Sequence, residues 1–255
     1  MIKDIARSIG DFSFYQEAVR KPVWATVAYL VLLGAFFSLA VTAALYVNVR
    51  PRILDAAEWA GAHIPKLTLS EGRLSSDAAA PTEVRNPAMP EFGLMVDTGR
   101  KEPVTPEEMT QKKLVVYLTG DSAYVLTQDR LETYELSKTK GEKPLVMDAD
   151  FYRQTASVLL KVLYPIGFLT AWLTFIVWKH VAALVYSLIA LLINAVVEGG
   201  HEFPSLYRMA VYAQTPVVVL QTAALFWPRP VPLFSLLALL VVSAYLWQGI
   251  RHAAP

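Results

Sequence analysis

The sequence predicts a membrane all-α bundle of about five transmembrane helices, with a small α+β extracytoplasmic domain (mainly antiparallel sheet) inserted between the first and second spans. Two observations predict this fold class. The chain of 255 residues is 55% hydrophobic, more than the 45–50% or so that is typical of soluble domains. Its apolar residues are concentrated in five stretches, one before and four after a polar segment of roughly a hundred residues.

Each apolar stretch is judged by length, since a helix needs about 20 mostly apolar residues to cross about 30 Å of hydrocarbon. The predicted spans are residues 24–47, 157–178, 181–197, 207–227 and 231–249. The first is too long for the apolar core of a signal peptide, about 7–15 residues, which favours a membrane anchor.

The connections between the later spans are predicted to be short. One helix through the second and third spans would be about 60 Å long, so a tight hairpin is expected at Lys179-His180. Pro228-Arg229-Pro230 is expected to separate the fourth span from the fifth, because proline fixes φ and lacks an N–H.

Basic residues near the span ends set the predicted orientation. The tail before the first span is basic near that span and is placed in the cytoplasm, so the carboxyl terminus falls outside. Ile2, Ile5, Ile9 and Phe12 have helical spacing and predict an amphipathic helix. This helix either lies on the membrane surface or packs against the ends of the spans.

The predicted domain boundaries follow from these assignments. They are a cytoplasmic tail over 1–23, the first transmembrane helix over 24–48, the extracytoplasmic domain over 49–155, a four-helix bundle over 156–250 and a tail over 251–255.

The polar segment predicts a small sheet with short helices. Runs of β-favouring residues between turn residues predict strands at 66–70, 92–96, 114–118, 122–127 and 131–136. A helix is predicted over 51–64, and Thr105-Pro106-Glu107-Glu108 indicates the start of another. Residues 76–91 are rich in proline and predict a loop. Asp148 or Asp150 is expected to cap the helix that follows.

Composition excludes several classes of function. A net charge of +1 argues against a nucleic-acid partner, which would favour a basic face. Because the chain has no cysteine, it can hold no disulfide, thiolate nucleophile or metal–thiolate site. No cofactor is expected. A cysteine-free external domain favours a bacterial envelope.

Val96-Asp97-Thr98-Gly99 resembles the signature of aspartic proteases. That chemistry needs two aspartates that share one proton, and the chain has a single copy, with Arg100 where a small residue is usual. A turn at the end of a strand, with a hydrogen bond between Asp97 and the backbone, is therefore predicted.

Glu198, His201 and Glu202 cluster beyond the third span and have the chemistry of metal ligands. Gly199-Gly200 would break the helix that could hold them in register, so a solvated interfacial loop is the main expectation. Inside the spans, polar residues are costly and mark either interhelical hydrogen bonds or a substrate path. The residues concerned are Asn194, Gln214 and Gln221.

Several short motifs together resemble one bacterial membrane family. They are Phe14-Tyr15, Tyr29-Leu30, Pro65-x-Leu-x-Leu-x-x-Gly72-x-Leu74, Val96-Asp97-Thr98 and the run Tyr207–Pro216. The family is domain-of-unknown-function family 1189, some of whose members are labelled maltodextrin-utilisation membrane proteins. The resemblance covers nearly the whole chain and implies a cytoplasmic tail, one span, an external domain and a helical bundle. It implies no established activity. The last four spans also resemble Yip-type membrane proteins.

These observations lead to the expectation of a non-enzymatic, multi-pass protein of the bacterial inner membrane, with its amino terminus in the cytoplasm. The external domain would bind a protein partner or an envelope ligand, and the bundle would lie in the lipid bilayer. The alternative is a transporter, or a transporter accessory subunit, with a path through the last four spans. A membrane-embedded hydrolase that uses Asp97 or the Glu198 cluster is a more distant alternative.

Overall fold

The computed structural model describes residues 1–128, 130–138, 143–227, 229 and 231–253, apart from the side chain of Met89. The expectations for Pro228, Pro230 and residues 254–255 lie outside the described part of the chain. Two compact units make up the chain. The helical unit is Met1–Val49 with Val162–Pro255, and the β-rich unit is Arg50–Lys161.

The helices and strands are numbered in chain order. The helices are α1 (Ile2–Gly10), α2 (Phe14–Ala18), α3 (Val23–Ala44), α4 (Arg50–His63), α5 (Pro106–Gln111), α6 (Ala149–Val196), α7 (Phe203–Ala213), α8 (Thr215–Ala224) and α9 (Phe234–Ala253). The strands are β1 (Leu67–Ser70), β2 (Arg73–Ser76), β3 (Thr82–Asn86), β4 (Met89–Asp97), β5 (Val116–Thr119), β6 (Ser122–Thr127), β7 (Arg130–Glu135) and β8 (Leu145–Met147). A π-helical turn, Leu45–Val49, joins α3 to α4, and a 3₁₀ turn, Leu136–Lys138, follows β7.

The β-rich unit contains two sheets. Three antiparallel strands form the first sheet in the order β2-β1-β8, and five strands form the second in the order β3-β4-β5-β6-β7. Within the second sheet β4 and β5 pair in parallel, with Leu94 opposite Val116. A parallel pair needs a crossover connection, and the segment that carries α5 supplies it.

The side chains of β4 point alternately to the two faces of its sheet, and each face has its own apolar core. Leu94 and Val96 point into a cluster with Leu67 and Leu74 of the first sheet, whereas Met95 points to the opposite face. There Met95 meets a cluster that includes the fully buried Met109 of α5. Successive strand residues face opposite sides, so β4 belongs to both cores.

The predicted strands are all present, but the loop predicted over 76–91 is wrong. β3 lies in this segment and pairs antiparallel with β4, from Thr82 opposite Val96 to Asn86 opposite Met89, with an irregularity at Arg85/Asn86. Pro81 and Pro87 flank β3, and Pro90 lies at the start of β4, before the stretch that pairs with β5. Their missing N–H groups therefore interrupt no central ladder. β8 was not predicted, because three residues are too short for a periodic signal.

The hairpin predicted at Lys179-His180 is also wrong, because α6 is one continuous helix of 48 residues. At about 1.5 Å per residue it is about 72 Å long. The segment around Lys179 contains no glycine or proline that would end a helix. The predicted second and third spans are thus parts of a single helix.

Three helices are long and apolar enough to cross a membrane: Val23–His63, Ala149–Val196 and Phe234–Ala253. The expected count of five is not supported. The predicted fourth span is divided into α7, with 11 residues, and α8, with 10.

The division between α7 and α8 has a local cause in Pro216. Proline has no N–H with which to continue the helix ladder to the carbonyl of Tyr212. The hydroxyl of Thr215 donates to that carbonyl instead, at 2.7 Å. Proline inside the predicted fourth span thus divides it into two helices, and the hydroxyl of Thr215 satisfies the carbonyl that Pro216 leaves without a donor.

An aromatic side chain from the tail packs with aromatic side chains of α3 and α7 in the core of the helical unit. Tyr15, Tyr29 and Tyr212 are almost fully buried, and Tyr29 joins the hydroxyl of Thr215 by a hydrogen bond of 2.6 Å. Of the two fates considered for the tail, the structure shows the packed one.

Both described ends of the chain meet in the helical unit. Gln16 of α2 donates to the carbonyl oxygen of His252 at 2.6 Å, and Tyr245 of α9 donates to the carbonyl oxygen of Ile9 at 2.9 Å. The two described ends of the chain are therefore close together in the helical unit.

Candidate functional site

Lys179 is a buried cation in the middle of the apolar part of α6. Its side chain is only 6% exposed, and Nζ donates to Oε1 of Gln221 on α8 at 2.9 Å. Nζ also lies 5.6 Å from the centre of the Phe175 ring. In the described residues it forms no ion pair with a carboxylate. A buried ammonium without a counter-charge is costly, and inside a membrane such a residue marks a functional site by default.

Two of the polar residues predicted in the spans converge on this lysine. Gln221 accepts from its Nζ, and Nε2 of Gln214 donates to the carbonyl oxygens of Lys179 and Ala210, each at 3.3 Å. Gln214 is 1% exposed, and its Oε1 has no hydrogen-bond partner in the part of the chain that the structure describes. The site therefore combines a cationic donor with an unsatisfied acceptor.

Two cavities of the helical unit meet at Lys179. One has a volume of about 720 Å³ and the other about 400 Å³. Both are lined by Trp178, Lys179, Gln221 and Phe234. The larger one also includes the exposed Arg229, and the smaller one includes Gln214. No Asp or Glu is among the described residues that line either cavity.

Asn194 does not join this site. Its side chain pairs with the backbone of His201, donating to the carbonyl oxygen at 3.1 Å and accepting from the N–H at 3.2 Å. These bonds close the turn after α6. At Gly199 a Cβ atom would lie 2.6 Å from Oδ1 of Asn194, so the turn requires glycine at this position.

Glu198, His201 and Glu202 lie along this turn. Among the described residues no three His, Asp or Glu side chains form a group that could hold a metal ion. Glu202 is the residue at the amino-terminal cap position of α7. The structure thus places the three residues in one loop without bringing them together as a ligand set.

In the β-rich unit, Asp97 ends β4, and its Oδ2 accepts from the hydroxyl of Tyr117 at 3.3 Å. Its backbone carbonyl accepts from the N–H of Arg100 at 3.4 Å. The neighbour of Asp97 is therefore a tyrosine, and within the described chain no second carboxylate is hydrogen-bonded to it in the manner of a protease pair.

Arg100 organises this end of the β-rich unit. Its Nη1 and Nη2 donate to the two carboxylate oxygens of Glu108 on α5, each at 2.8 Å, and Nη1 also donates to the hydroxyl of Tyr117 at 3.1 Å. Hydrogen bonds from Arg100, and then from Lys112, lower the pKa of Glu108 to about 2. The same carboxylate raises the pKa of Arg100. The cluster is a closed ion pair that stabilises the fold.

The sequence interpretation missed Lys179 as a site residue because it assigned the residue to a hairpin turn. The signal that could have found it was the absence of turn-forming residues on either side. A charge inside an uninterrupted apolar helix indicates a buried functional residue, whereas a charge between two helices indicates an exposed turn.

The family described as "Protein of unknown function (DUF1189)" matches residues 2–250. Neither a curated protein nor a solved structure matches the chain. The similarity of the last four spans to Yip-type membrane proteins is not shown. Since the match covers nearly the whole sequence, the chain belongs to the DUF1189 family.

Proposed function

We propose that this chain is a non-enzymatic, multi-pass protein of the bacterial inner membrane, whose β-rich unit lies outside the cytoplasm and binds a partner. The apolar outer surface of the helical unit is the observation that carries the membrane assignment. In each of the three membrane-length helices only 28% of the most apolar window is buried. Leu173, Leu192 and Leu240 are all exposed there. Such a continuous apolar surface is rare in water and is required in lipid.

Four crossings fit the helical unit better than five. α3, α6, the α7–α8 pair and α9 would each cross once, which puts both chain ends on one face. This agrees with the contact between Gln16 and His252. α3 and α6 run side by side in opposite directions, since Gly167 lies against Leu45 and Trp172 donates to the carbonyl of Val31 at 2.9 Å.

The basic tail supports a cytoplasmic amino terminus. Lys3, Arg7, Arg20 and Lys21 lie close to the start of α3, and basic residues that flank spans are retained in the cytoplasm. The β-rich unit would then lie outside, where its lack of cysteine suits a bacterial envelope.

Binding, rather than catalysis, is the proposed role of the β-rich unit. Arg100 and Glu108 are held in an ion pair with each other, which leaves neither group free for proton transfer. Phe92, Tyr134 and Leu145 are large apolar side chains that stay exposed, and aromatic residues are enriched where proteins meet partners.

Labelling of single cysteines tests the topology, because the chain has no cysteine of its own. A membrane-impermeant maleimide added to spheroplasts should label Ser70→Cys in the β-rich unit and spare Lys3→Cys in the tail. Inside-out vesicles should give the reverse pattern. Leu173→Cys, facing lipid, should resist the reagent in both. Labelling of Lys3→Cys in spheroplasts would refute the orientation, and labelling of Leu173→Cys in both would refute the membrane assignment.

Photocrosslinking in native membranes tests the partner. A photoreactive side chain at Phe92 or Tyr134 should capture one protein in stoichiometric amount, whereas the same group at Lys3 should not capture it. Equal capture from both positions, or none from either, would count against partner binding by the β-rich unit.

A transporter is a second candidate, favoured by the convergence of Gln214 and Gln221 on Lys179 beside two cavities. A transport path opens to both sides of the membrane. Gln221→Cys should then react with a hydrophilic maleimide from either face. Reaction from neither face would exclude a path through this site.

A further inference from the structure

We propose that the cavity around Lys179 binds an anionic phospholipid of the surrounding membrane, with the headgroup phosphate between Lys179 and Arg229. This inference goes beyond the role proposed for the β-rich unit, and it rests on the proposed membrane embedding of the helical unit.

The charge of the cavity calls for an anion. Two cations, Lys179 and Arg229, line the larger cavity, and no carboxylate is among its described lining residues. Lys179 is only 6% exposed, and its ammonium group has a neutral amide oxygen as its hydrogen-bond acceptor. A phosphate would supply the missing negative charge through charge-assisted hydrogen bonds.

The aromatic walls of the cavity favour a ligand that also has an apolar portion. Phe37, Phe175 and Phe234 line it, and a small inorganic anion would leave these rings in contact with water. Its volume of about 720 Å³ is in the range of sites that enclose a whole small ligand, about 300–1,000 Å³.

The rim of the cavity belongs to the lipid-facing surface. Trp178 and Trp227 line it and are 67% and 69% exposed. Tryptophan prefers the region of lipid headgroups, and Val177 beside it is also exposed. A lipid can therefore enter sideways from the bilayer with its chain on the apolar wall, whereas a water-soluble ligand would have to cross that surface.

The smaller cavity adds a preference among anionic lipids. Gln214 lines this cavity, and among the described residues its Oε1 has no hydrogen-bond donor. A headgroup hydroxyl, such as those on phosphatidylglycerol, would satisfy it while the phosphate stays at Lys179. Phosphatidylglycerol is therefore the probe of choice.

The test uses the full chain, purified in a non-ionic detergent and titrated with lipid under native mass spectrometry. Phosphatidylglycerol should bind about tenfold more tightly than phosphatidylcholine with the same acyl chains, the effect of about one charged hydrogen bond. Lys179→Met should abolish this preference. Lys161→Met removes an exposed lysine of the same helix, outside both cavities, and should keep it.

Arg229→Gln keeps the test valid if Lys179→Met fails to fold, because Arg229 is exposed. It should reduce the preference about threefold or more, as expected when one of two cationic partners is lost. Equal binding of the two lipids by the wild-type chain would overturn the proposal. So would an unchanged preference in Lys179→Met, or displacement of the lipid by an equal concentration of inorganic phosphate.

Extraction of the chain from membranes is measured first, because it distinguishes failure of the lipid site from failure of the proposed membrane embedding. A wild-type chain that stays in carbonate-washed membranes but shows no lipid preference refutes the lipid site alone. A chain that is released without detergent refutes the membrane embedding as well.

Discussion

Arg100 gives the protease-like Asp-Thr-Gly triplet a structural role in this chain. It follows directly on the Asp-Thr-Gly triplet, and its guanidinium reaches Glu108, Tyr117 and the carbonyl oxygens of Glu102 and Pro103. A planar group with several donors can bridge a carboxylate, a hydroxyl and the backbone at once. The motif thus ends a strand and anchors α5.

The ion pair between Arg100 and Glu108 predicts a pH dependence of stability. The pKa of Glu108 is about 2 in the folded chain, against an ordinary value of 4.5. Its contribution is therefore fully present above pH 4.5 or so and is lost as the pH falls toward 2. Glu108→Gln should lower the unfolding free energy at pH 7 by about 1 kcal/mol, the upper end for a pair still in contact with water. It should also flatten this acid dependence.

Thermal unfolding of the full chain in detergent, followed by circular dichroism between pH 7 and pH 2.5 or so, measures the effect. Glu107→Gln changes the exposed neighbour on the same helix and serves as the control. An acid dependence in Glu108→Gln equal to that of the wild type would contradict the assignment.

The close contact between α2 and α9 depends on a glycine, which has no side chain. At Gly249 of α9 a Cβ atom would lie 2.8 Å from Cδ1 of Tyr15, whose ring is fully buried. α2 therefore packs directly on the backbone of α9. At Gly10, by contrast, a Cβ atom would meet nothing within 4 Å.

Gly249→Val should detach α2, since overpacking a filled contact costs about 1–3 kcal/mol. Arg7 is ion-paired with Glu17 of α2 and is followed by the buried Ser8, so release of α2 should speed tryptic cleavage after Arg7 by about tenfold. Gly10→Val, at the open position, should cleave at about the wild-type rate. Similar rates for the two variants would show that α2 does not depend on this contact.

At the scale of the whole molecule, the contact between the two described chain ends supports the even number of crossings that we propose. α1 and α2 pack on α9 through Tyr15, Tyr245 and the hydrogen bond from Gln16 to His252. Only an even number of crossings leaves both ends on one face. The predicted count of five is not supported, because α6 joins two of the predicted spans in one helix, whereas α7 and α8 divide another.

The double variant Gln16→Cys with His252→Cys should form an intramolecular crosslink with a short bifunctional maleimide, because the two residues are hydrogen-bonded. Each single variant should be labelled from the same membrane face as Lys3→Cys. The mass of the crosslinked chain and the labelling pattern are the readouts. Labels on opposite faces would restore an odd number of crossings.

The sequence by itself determined the family, the separation of apolar helices from a polar sheet, and most of the strands. These follow from local composition and from periods of two and 3.6 residues, which neighbouring residues encode. The strand β3 was missed because prolines next to it hid its period. At Pro216, inside the predicted fourth span, proline does mark a helix break.

The tertiary structure alone decided that the two described ends of the chain are in contact, that Lys179 lies inside a continuous helix, and that Gln214 and Gln221 meet it. These residues are 35 and 42 positions from Lys179 along the chain, and no period links them. A buried charge is recognised by what surrounds it, and its surroundings are built by helices that come together only when the chain is folded.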